Sequence, residues 1–221
     1  MELNADFTAR VVVRNEENNW RPSPMQGVER KMLDRIGDEV ARATTVVRFA
    51  PNAEFHPHTH DGGEEFLVLD GVFEDEHGAF PAGSYIRNPP TSHHAPSAPQ
   101  GTTILVKLHQ FAPEDRTHVR IATQKSALVP AADRPGVSVL PLFVDAREDV
   151  RLETWAPGAE VRLDGHGGLE VFVLEGGFEE GGDRLGPWDW LRLPPDRPLV
   201  ATAGAVGAKL WIKTGHLRAM V

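Results

Sequence analysis

The segment HTHDGGEEFLVLDG, residues 58–71, carries the residue types best suited to holding a metal ion. His58 and His60 stand two positions apart, so on a β-strand both imidazoles point to the same face. Two glycines then favour a bend, after which Glu64 begins an apolar run that returns past the histidines. Two neutral nitrogens and a carboxylate oxygen therefore meet at one point, which is a ligand set for a first-row divalent metal. His-x-His alone is also common in solvated loops, but the spacing to Glu64 and Gly71 favours a metal site.

The elements that would position these residues are short β-strands. Apolar and polar residues alternate in short runs such as Glu65–Leu69 and Thr103–Leu108. The 21 Gly and 18 Pro residues separate these runs, and no long amphipathic helix is visible. With 221 residues, of which 40% are hydrophobic, the chain has ample material for a core. The pattern predicts an all-β sandwich or barrel.

Composition excludes several classes of protein. The chain has no cysteine, which rules out disulfides, thiolate zinc sites and cysteine nucleophiles. Its net charge of −9 argues against a nucleic-acid partner. No apolar run approaches the roughly 18 residues that suggest a membrane span, and the N-terminus lacks the basic and apolar segments of a secretory signal. We therefore expect neither nucleic acid nor membrane as a partner, and a cytoplasmic location.

The chain repeats itself at an offset of about 105 residues. EEFLVLDGVFEDE at 64–76 returns as LEVFVLEGGFEEG at 169–181, and SYIRNPP at 84–90 returns as DWLRLPP at 189–195. Two copies of one β fold joined head to tail explain this order. We predict the following divisions: an N-terminal arm at 1–24, a metal-binding barrel at 25–122, a linker at 123–136 and a degenerate barrel at 137–221.

The second copy lacks the metal motif. Its segment 161–170 reads VRLDGHGGLE, which we interpret as one residue shorter, so that Arg162, Leu163 or Asp164 stands where the first copy has His58. His166 and Glu170 remain as candidate ligands, but two ligands rarely hold a metal tightly. We predict one metal ion per chain, bound in the first barrel.

The first copy resembles the cupin superfamily. The residues that carry the resemblance are HxHxxxE, then six residues and Gly71, a PxG turn at 81–83, and a later histidine. The usual histidine three residues after the turn is Ile86 here. The closer resemblance is to the ChrR-type cupins of anti-sigma factors, whose late histidine follows a Pro-Pro-x-Ser-x-His run, which matches Pro89 through His94.

The resemblance implies an all-β fold of two double-stranded β-helix, jelly-roll-like barrels in tandem, which is a bicupin. It also implies a metal site formed by His58, His60, Glu64 and His94. His93 is the alternative to His94, and Glu65 is the alternative to Glu64. Adjacent strand residues face opposite sides, so only one of each pair can enter the barrel.

The metal itself is left open by these residues. Three imidazoles and one carboxylate suit Zn as a closed tetrahedron, whereas Fe, Mn or Ni would keep positions open for water, O2 or a substrate. Zn and Fe are the favoured candidates. His56, Tyr85 and Arg87 lie near the motif in sequence and are predicted to line the cavity.

Two classes of function fit this site. One is a metal-dependent dioxygenase or related enzyme acting on a small diketone or phenolic compound, and the sequence leaves open whether the chain is an enzyme at all. The alternative is a ChrR-like anti-sigma-factor or sensory module that responds to oxidative stress through a Zn site, with a sigma factor as partner. A small-molecule ligand is expected under the first interpretation, and a homodimer formed through the N-terminal strands is compatible with either.

Overall fold

The computed structural model describes residues 1–38, 40–54 and 57–220. They form two compact units: unit 1 comprises Met1–Ala5 and Asn19–Lys125, and unit 2 comprises Asp6–Asn18 and Ser126–Val221. Both are built from antiparallel strands, so the prediction of an all-β chain with two barrels in tandem is confirmed. Within the described ranges, no helix has the length and apolar character that crossing a membrane requires.

The first half of the chain contains β1 (Glu2–Leu3), β2 (Val11–Val13), β3 (Arg21–Pro22), β4 (Val28–Gly37), β5 (Ala41–Phe49), β6 (Ala53–Glu54), β7 (His58–Thr59), β8 (Glu64–Asp75), β9 (Gly78–Pro81), β10 (Ser84–Asn88), β11 (His93–His94), β12 (Ser97–Ala98), β13 (Thr102–Leu108), β14 (Val119–Ala122) and a 3-10 helix (Thr123–Lys125). The second half contains β15 (Val129–Pro130), β16 (Val137–Val144), β17 (Asp149–Trp155), β18 (Glu160–Leu163), β19 (Leu169–Glu180), β20 (Asp183–Leu185), β21 (Trp190–Leu193), β22 (Leu199–Thr214) and a 3-10 helix (Arg218–Met220).

In unit 1 the main sheet has the order β1-β4-β5-β13-β8-β10-β14, and β7 pairs with β11 as a separate ribbon. In unit 2 the order is β15-β16-β17-β22-β19-β21-β2. The central pairs correspond, because β13 lies between β5 and β8 in unit 1 as β22 lies between β17 and β19 in unit 2. The repeat seen in the sequence is therefore a repeat of strand order.

Alternation along β8 decides which side chains enter the first barrel. Phe66 and Val68 join a buried apolar cluster, and Glu64 shares their face, whereas Glu65 points to the opposite face. Gly71 has φ +71°, and a Cβ there would collide with the carbonyl oxygen of Gly101. The remaining members of the apolar cluster are Val28, Val47, Phe73, Ile86, Ile104 and Val106.

The N-terminal segment is divided differently from the expected arm at 1–24. Strands β1 and β3 pair with β4 in unit 1, whereas β2 pairs with β21 in unit 2. Arg10 binds Glu180, and Arg14 binds Asp183, so ion pairs hold the segment around β2 to unit 2. The segment expected as the linker, 123–136, contains a 3-10 helix and strand β15, which pairs with β16.

Candidate metal centre

The β7–β11 ribbon brings three imidazoles of unit 1 together. His94 lies directly opposite His58 in this ribbon, so their side chains share a face. His60 follows two residues after His58, and its backbone is fixed on both sides: its N–H donates to the Ser92 carbonyl, and its carbonyl accepts from the Thr91 N–H. Alternation then directs all three rings to one point.

The three rings meet at distances suited to a shared ion. Each of His58, His60 and His94 offers a ring nitrogen, and these nitrogens lie within 4.8 Å of one another. That is little more than twice a metal–nitrogen bond of about 2.1 Å. The Nε2 atoms of His60 and His94 are buried and have no hydrogen-bond partner among the described residues. Buried nitrogens are rarely left unsatisfied, so these two lone pairs fit an ion between them.

Glu64 supplies an oxygen to the same point. Its Oε2 lies 3.5 Å from His60 Nε2 and 3.7 Å from His94 Nε2. Asn88, directly opposite on β10, donates from Nδ2 to this Oε2 at 3.1 Å and so fixes the carboxylate. Glu65 instead accepts a hydrogen bond from the Tyr85 hydroxyl at 2.5 Å on the other face of the sheet. The carboxylate beside the histidines is therefore that of Glu64.

His94 is held by an aspartate to which no sequence motif pointed. The His94 side chain is 2% exposed, whereas its neighbour His93 is exposed. His94 Nδ1 lies 3.2 Å from Asp75 Oδ2, so the ring can donate there and leave Nε2 as an acceptor toward the centre. Asp75 is at the end of β8, distant in sequence from His94, and only the folded sheet brings the two together.

The two buried histidines have opposite pKa shifts. Burial lowers the pKa of His60 below its usual value, with only partial compensation from the Glu64 carboxylate. Burial also acts to lower the pKa of His94, but the hydrogen bond to Asp75 and the charges of Glu64, Asp75 and Glu76 outweigh it, and the net shift is upward. Burial therefore favours the neutral form of His60, whereas the contact with Asp75 makes His94 the more basic of the two imidazoles.

A cavity of about 210 Å³ opens beside these residues in unit 1. His58 and Glu64 form part of its wall, and most of the rest is apolar, including Phe73, Ile104 and Val106. Two of the four predicted ligands thus face a space that a small molecule could enter.

The predicted cavity residues differ from the observed lining. His56 lies outside the described residues. Tyr85 and Arg87 are buried, but they alternate onto the face of the sheet that carries Glu65, and neither contributes to the cavity wall. Arg87 there binds Asp115 at 2.9 Å. For Tyr85 and Arg87 the prediction differs from the structure because nearness in sequence says nothing about the side of a strand on which a residue lies.

The second barrel has apolar side chains at the corresponding positions. The pairing of Leu163 with Leu199 reproduces that of His58 with His94, and the hydrogen bond from Asp196 N–H to the Gly165 carbonyl reproduces that from Thr91 to His60. Leu169, opposite Leu193, likewise takes the place of Glu64 opposite Asn88. Of the three residues considered for the position of His58, the structure selects Leu163. The one-residue gap lies before it, because APNAE at 50–54 returns as APGAE at 156–160, at an offset of 106 rather than 105.

The two candidate ligands left in the second copy do not come together. His166 corresponds to Asp61 and is exposed, with its Nδ1 3.8 Å from Asp196. Glu170 corresponds to Glu65, is fully buried on the opposite face, and lies 2.8 Å from His216 Nε2. Neither contributes to a three-residue metal cluster within the described part of unit 2.

Two antiparallel barrels, with inward-facing histidines and a carboxylate in the first, define a cupin. Residues 8–112, a little under half of the chain, match the family model described as the ChrR cupin-like domain. The similarity to the ChrR cupin-like family is therefore shown for this segment, as the sequence motifs indicated, and the chain has a cupin fold of two barrels. No curated protein sequence matches the chain.

Solved structures show the same fold over nearly the whole chain. A candidate dioxygenase from Nostoc punctiforme is 14% identical, with 96% of this chain and 84% of that chain covered and a TM-score of 0.78. A bacterial pirin from Escherichia coli in complex with nickel(II) is 14% identical, with 94% and 99% covered and a TM-score of 0.66. A salicylate 1,2-dioxygenase from Pseudaminobacter salicylatoxidans is 13% identical, with 95% and 85% covered and a TM-score of 0.66. At these identities the likeness establishes the fold.

Proposed function

We propose that the first barrel binds one divalent metal ion through His58, His60, Glu64 and His94, and that the protein is a metal-dependent oxygenase acting on a small diketone or phenolic compound. The second barrel is proposed to bind no metal and to serve as a structural partner. Fe and Zn are the favoured metals, because three imidazoles and one carboxylate suit both.

The cavity beside the histidines is the observation that carries the enzymatic proposal. A purely structural metal site is closed by protein ligands, whereas a catalytic site keeps a coordination position accessible. Here His58 is exposed and shares the cavity wall with Glu64. The apolar remainder of the wall suits the hydrocarbon part of a small substrate and limits the water around it.

The chain's own residues would prepare the centre for binding. A bound divalent ion would supply Lewis acidity and, if it is iron, redox chemistry with O2. Asp75 would hold the Nδ1 proton of His94, which presents Nε2 as a lone-pair donor. Asn88 would hold Glu64 in position through its amide N–H. Both contacts orient a donor toward the centre.

A sensory role is the second candidate, and the match to the ChrR cupin-like family favours it. Under this proposal the same four residues would close around Zn as a tetrahedron, and oxidative stress would be signalled to a sigma factor. The cavity favours the enzyme over this alternative.

Oxygen uptake tests the proposal directly. The protein is stripped of metal, loaded anaerobically with Fe(II) or with Zn(II), and mixed with a panel of β-diketones and phenolic compounds. We expect Fe(II)-dependent O2 consumption with at least one compound, its loss in His94→Ala, and its retention in the matched variant His93→Ala. Tight Zn binding without any Fe(II)-dependent uptake across the panel would favour the sensor.

A further inference from the structure

We propose that Arg30 anchors the carboxylate of a small organic acid that occupies the cavity beside the candidate metal centre. This inference deepens the proposed function, on which it rests for the role of the acid as substrate. It narrows the substrate class to compounds with a carboxylate at one end, an apolar body, and an oxygen function at the end that faces His58 and Glu64.

Arg30 lies inside the first barrel by its position on β4. It is directly opposite Val47, a member of the buried apolar cluster, and two residues after Val28, another member. Arg30 also forms part of the wall of the cavity that contains His58 and Glu64. A cation therefore faces the same small space as two of the candidate metal ligands.

The Arg30 guanidinium has no carboxylate partner in the part of the chain that the structure describes. Its Nε is buried and has no hydrogen-bond partner among the described residues, and no ion pair of Arg30 occurs in the same part of the chain. Other arginines in buried surroundings are paired: Arg87 binds Asp115, and Arg151 binds Glu153. Arg30 is half-buried, and a carboxylate is the group that matches the planar fork of donors of a guanidinium.

A second arginine increases the local positive charge. Arg21 on β3 is the direct cross-strand partner of Arg30, so both side chains leave the same face of the hairpin. Like charges placed directly opposite destabilise a strand pair. An anion bound at Arg30 would offset the repulsion between the two guanidinium groups.

The volume of the cavity and the charge around it both favour a small monoanion as the ligand. The cavity volume of about 210 Å³ equals that of roughly seven water molecules at about 30 Å³ each. Three neutral imidazoles, the carboxylates of Glu64 and Asp75, and a divalent ion give the centre a net charge of about zero, and Arg30 raises the local charge to about +1. Because most of the wall is apolar, selection for an anion falls to Arg30 and the ion.

Ligand binding to the full-length, Zn(II)-loaded protein tests the anchor without requiring turnover. The probes are benzoate and its neutral isostere benzamide, measured by titration calorimetry. The variants are Arg30→Met, Arg30→Gln and Arg30→Lys, and Arg120→Met on β14 is the matched control because it removes an exposed arginine that does not contribute to the cavity wall. Metal content is measured in every variant.

We expect wild-type protein to prefer benzoate over benzamide, also without metal. Loss of a charge-assisted pair should weaken benzoate binding by roughly 10–100-fold in Arg30→Met and Arg30→Gln. Arg30→Lys should lie between these variants and wild type, and Arg120→Met should match wild type. Zinc content should be unchanged throughout.

Benzoate binding that depends on zinc but not on Arg30, or that falls equally in Arg120→Met, would overturn the anchor. Equal affinity for benzoate and benzamide in metal-free wild type would overturn it even if the variants fail to fold. The two proposals fail separately: Arg30-dependent benzoate binding without oxygen uptake leaves the anchor and removes the oxygenase, whereas uptake confined to neutral diketones does the reverse.

Discussion

The two barrels of this chain share one strand order but differ in the polarity of their interiors at the candidate metal centre. Where the first barrel has His58, Glu64 and His94, the second has Leu163, Leu169 and Leu199, and each leucine belongs to the apolar core of unit 2. A buried leucine stabilises a fold by about 1.5–3 kcal/mol, whereas a buried polar atom without a partner costs about 1–3 kcal/mol. The first barrel therefore gives up stability at the positions where it gains a set of metal donors.

The difference separates what the fold requires from what the site requires. The second barrel keeps the turn glycines and the paired strands without any of the four donors, so the architecture does not depend on a metal. The supporting contacts differ as well. Leu193 replaces Asn88, and the second barrel has Glu180 at the position of Asp75, where it binds Arg10 rather than a histidine.

Removal of a metal donor from the first barrel should have the largest effect, because it removes the property that distinguishes this barrel from the second. His94→Ala deletes a buried nitrogen and should lower metal affinity by more than about 100-fold, the upper end for loss of an outer partner. The exposed neighbour gives the control, because His93→Ala should leave affinity within about twofold of wild type. Competition titration with a chelator measures both. Retention of full affinity by His94→Ala would place the donor elsewhere.

Introduction of a donor into the second barrel should destabilise it without creating a site. Leu169→Glu buries a carboxylate in an apolar core and should cost about 3–5 kcal/mol of unfolding free energy. Urea unfolding followed by tryptophan fluorescence measures it, since Trp155, Trp188, Trp190 and Trp211 all lie in unit 2. The reciprocal variant Glu64→Leu should leave the stability of the metal-free protein equal or higher. An unchanged midpoint for Leu169→Glu would contradict the correspondence.

Loss of the carboxylate behind His94 should have an intermediate effect. Asp75→Asn keeps the shape of the side chain but removes the negative charge that orients the His94 ring and favours the tautomer with its proton on Nδ1. Metal affinity should therefore fall by about 10–100-fold. Asp70→Asn, at an exposed position on the same strand, is the control. In the metal-free protein, NMR titration should show a lower pKa for His94 in Asp75→Asn. An unchanged His94 pKa would contradict the contact between Asp75 and His94.

A change of pH should have the smallest effect on metal affinity. Since the pKa of His94 is raised above about 6.5, protons should begin to compete with the metal above that pH, and affinity should decline as pH falls. His60, whose pKa is lowered, should join only at lower pH. In the metal-free protein the sign reverses for His94: its stabilising contribution is present below its unfolded pKa and is lost as pH rises through the folded value. A flat affinity between pH 8 and about 6 would contradict this account.

Much of this picture could be predicted from local sequence. Two-residue alternation predicted that only one residue of each adjacent pair, His93 or His94 and Glu64 or Glu65, would face the inside. The resemblance to the cupin motifs favoured His94 and Glu64. The second barrel could be located because its sequence blocks repeat those of the first in the same order. The one-residue gap in the second copy was predicted, but its place was not: the offset falls from 106 at residues 50–54 to 105 at the glycines 62 and 63, which correspond to 167 and 168.

The remainder depends on pairing between distant segments. Asp75 reaches His94, and Arg30 reaches the cavity, only through the sheet order, which no local pattern encodes. The assignment of residues 6–18 to unit 2 depends on a strand pair between Val11–Val13 and a segment near residue 190. Tyr85 and Arg87 were misplaced because their side of the strand follows from register rather than from proximity.

Metal stoichiometry tests the central claim most directly. Elemental analysis of the dialysed full-length protein should give one divalent ion per chain. A variant that gives the first barrel the residues of the second, His58→Leu, His60→Gly, Glu64→Leu and His94→Leu together, should give none while both units remain folded. Two ions per wild-type chain, or a full complement in the substituted variant, would contradict the assignment of the site to the first barrel.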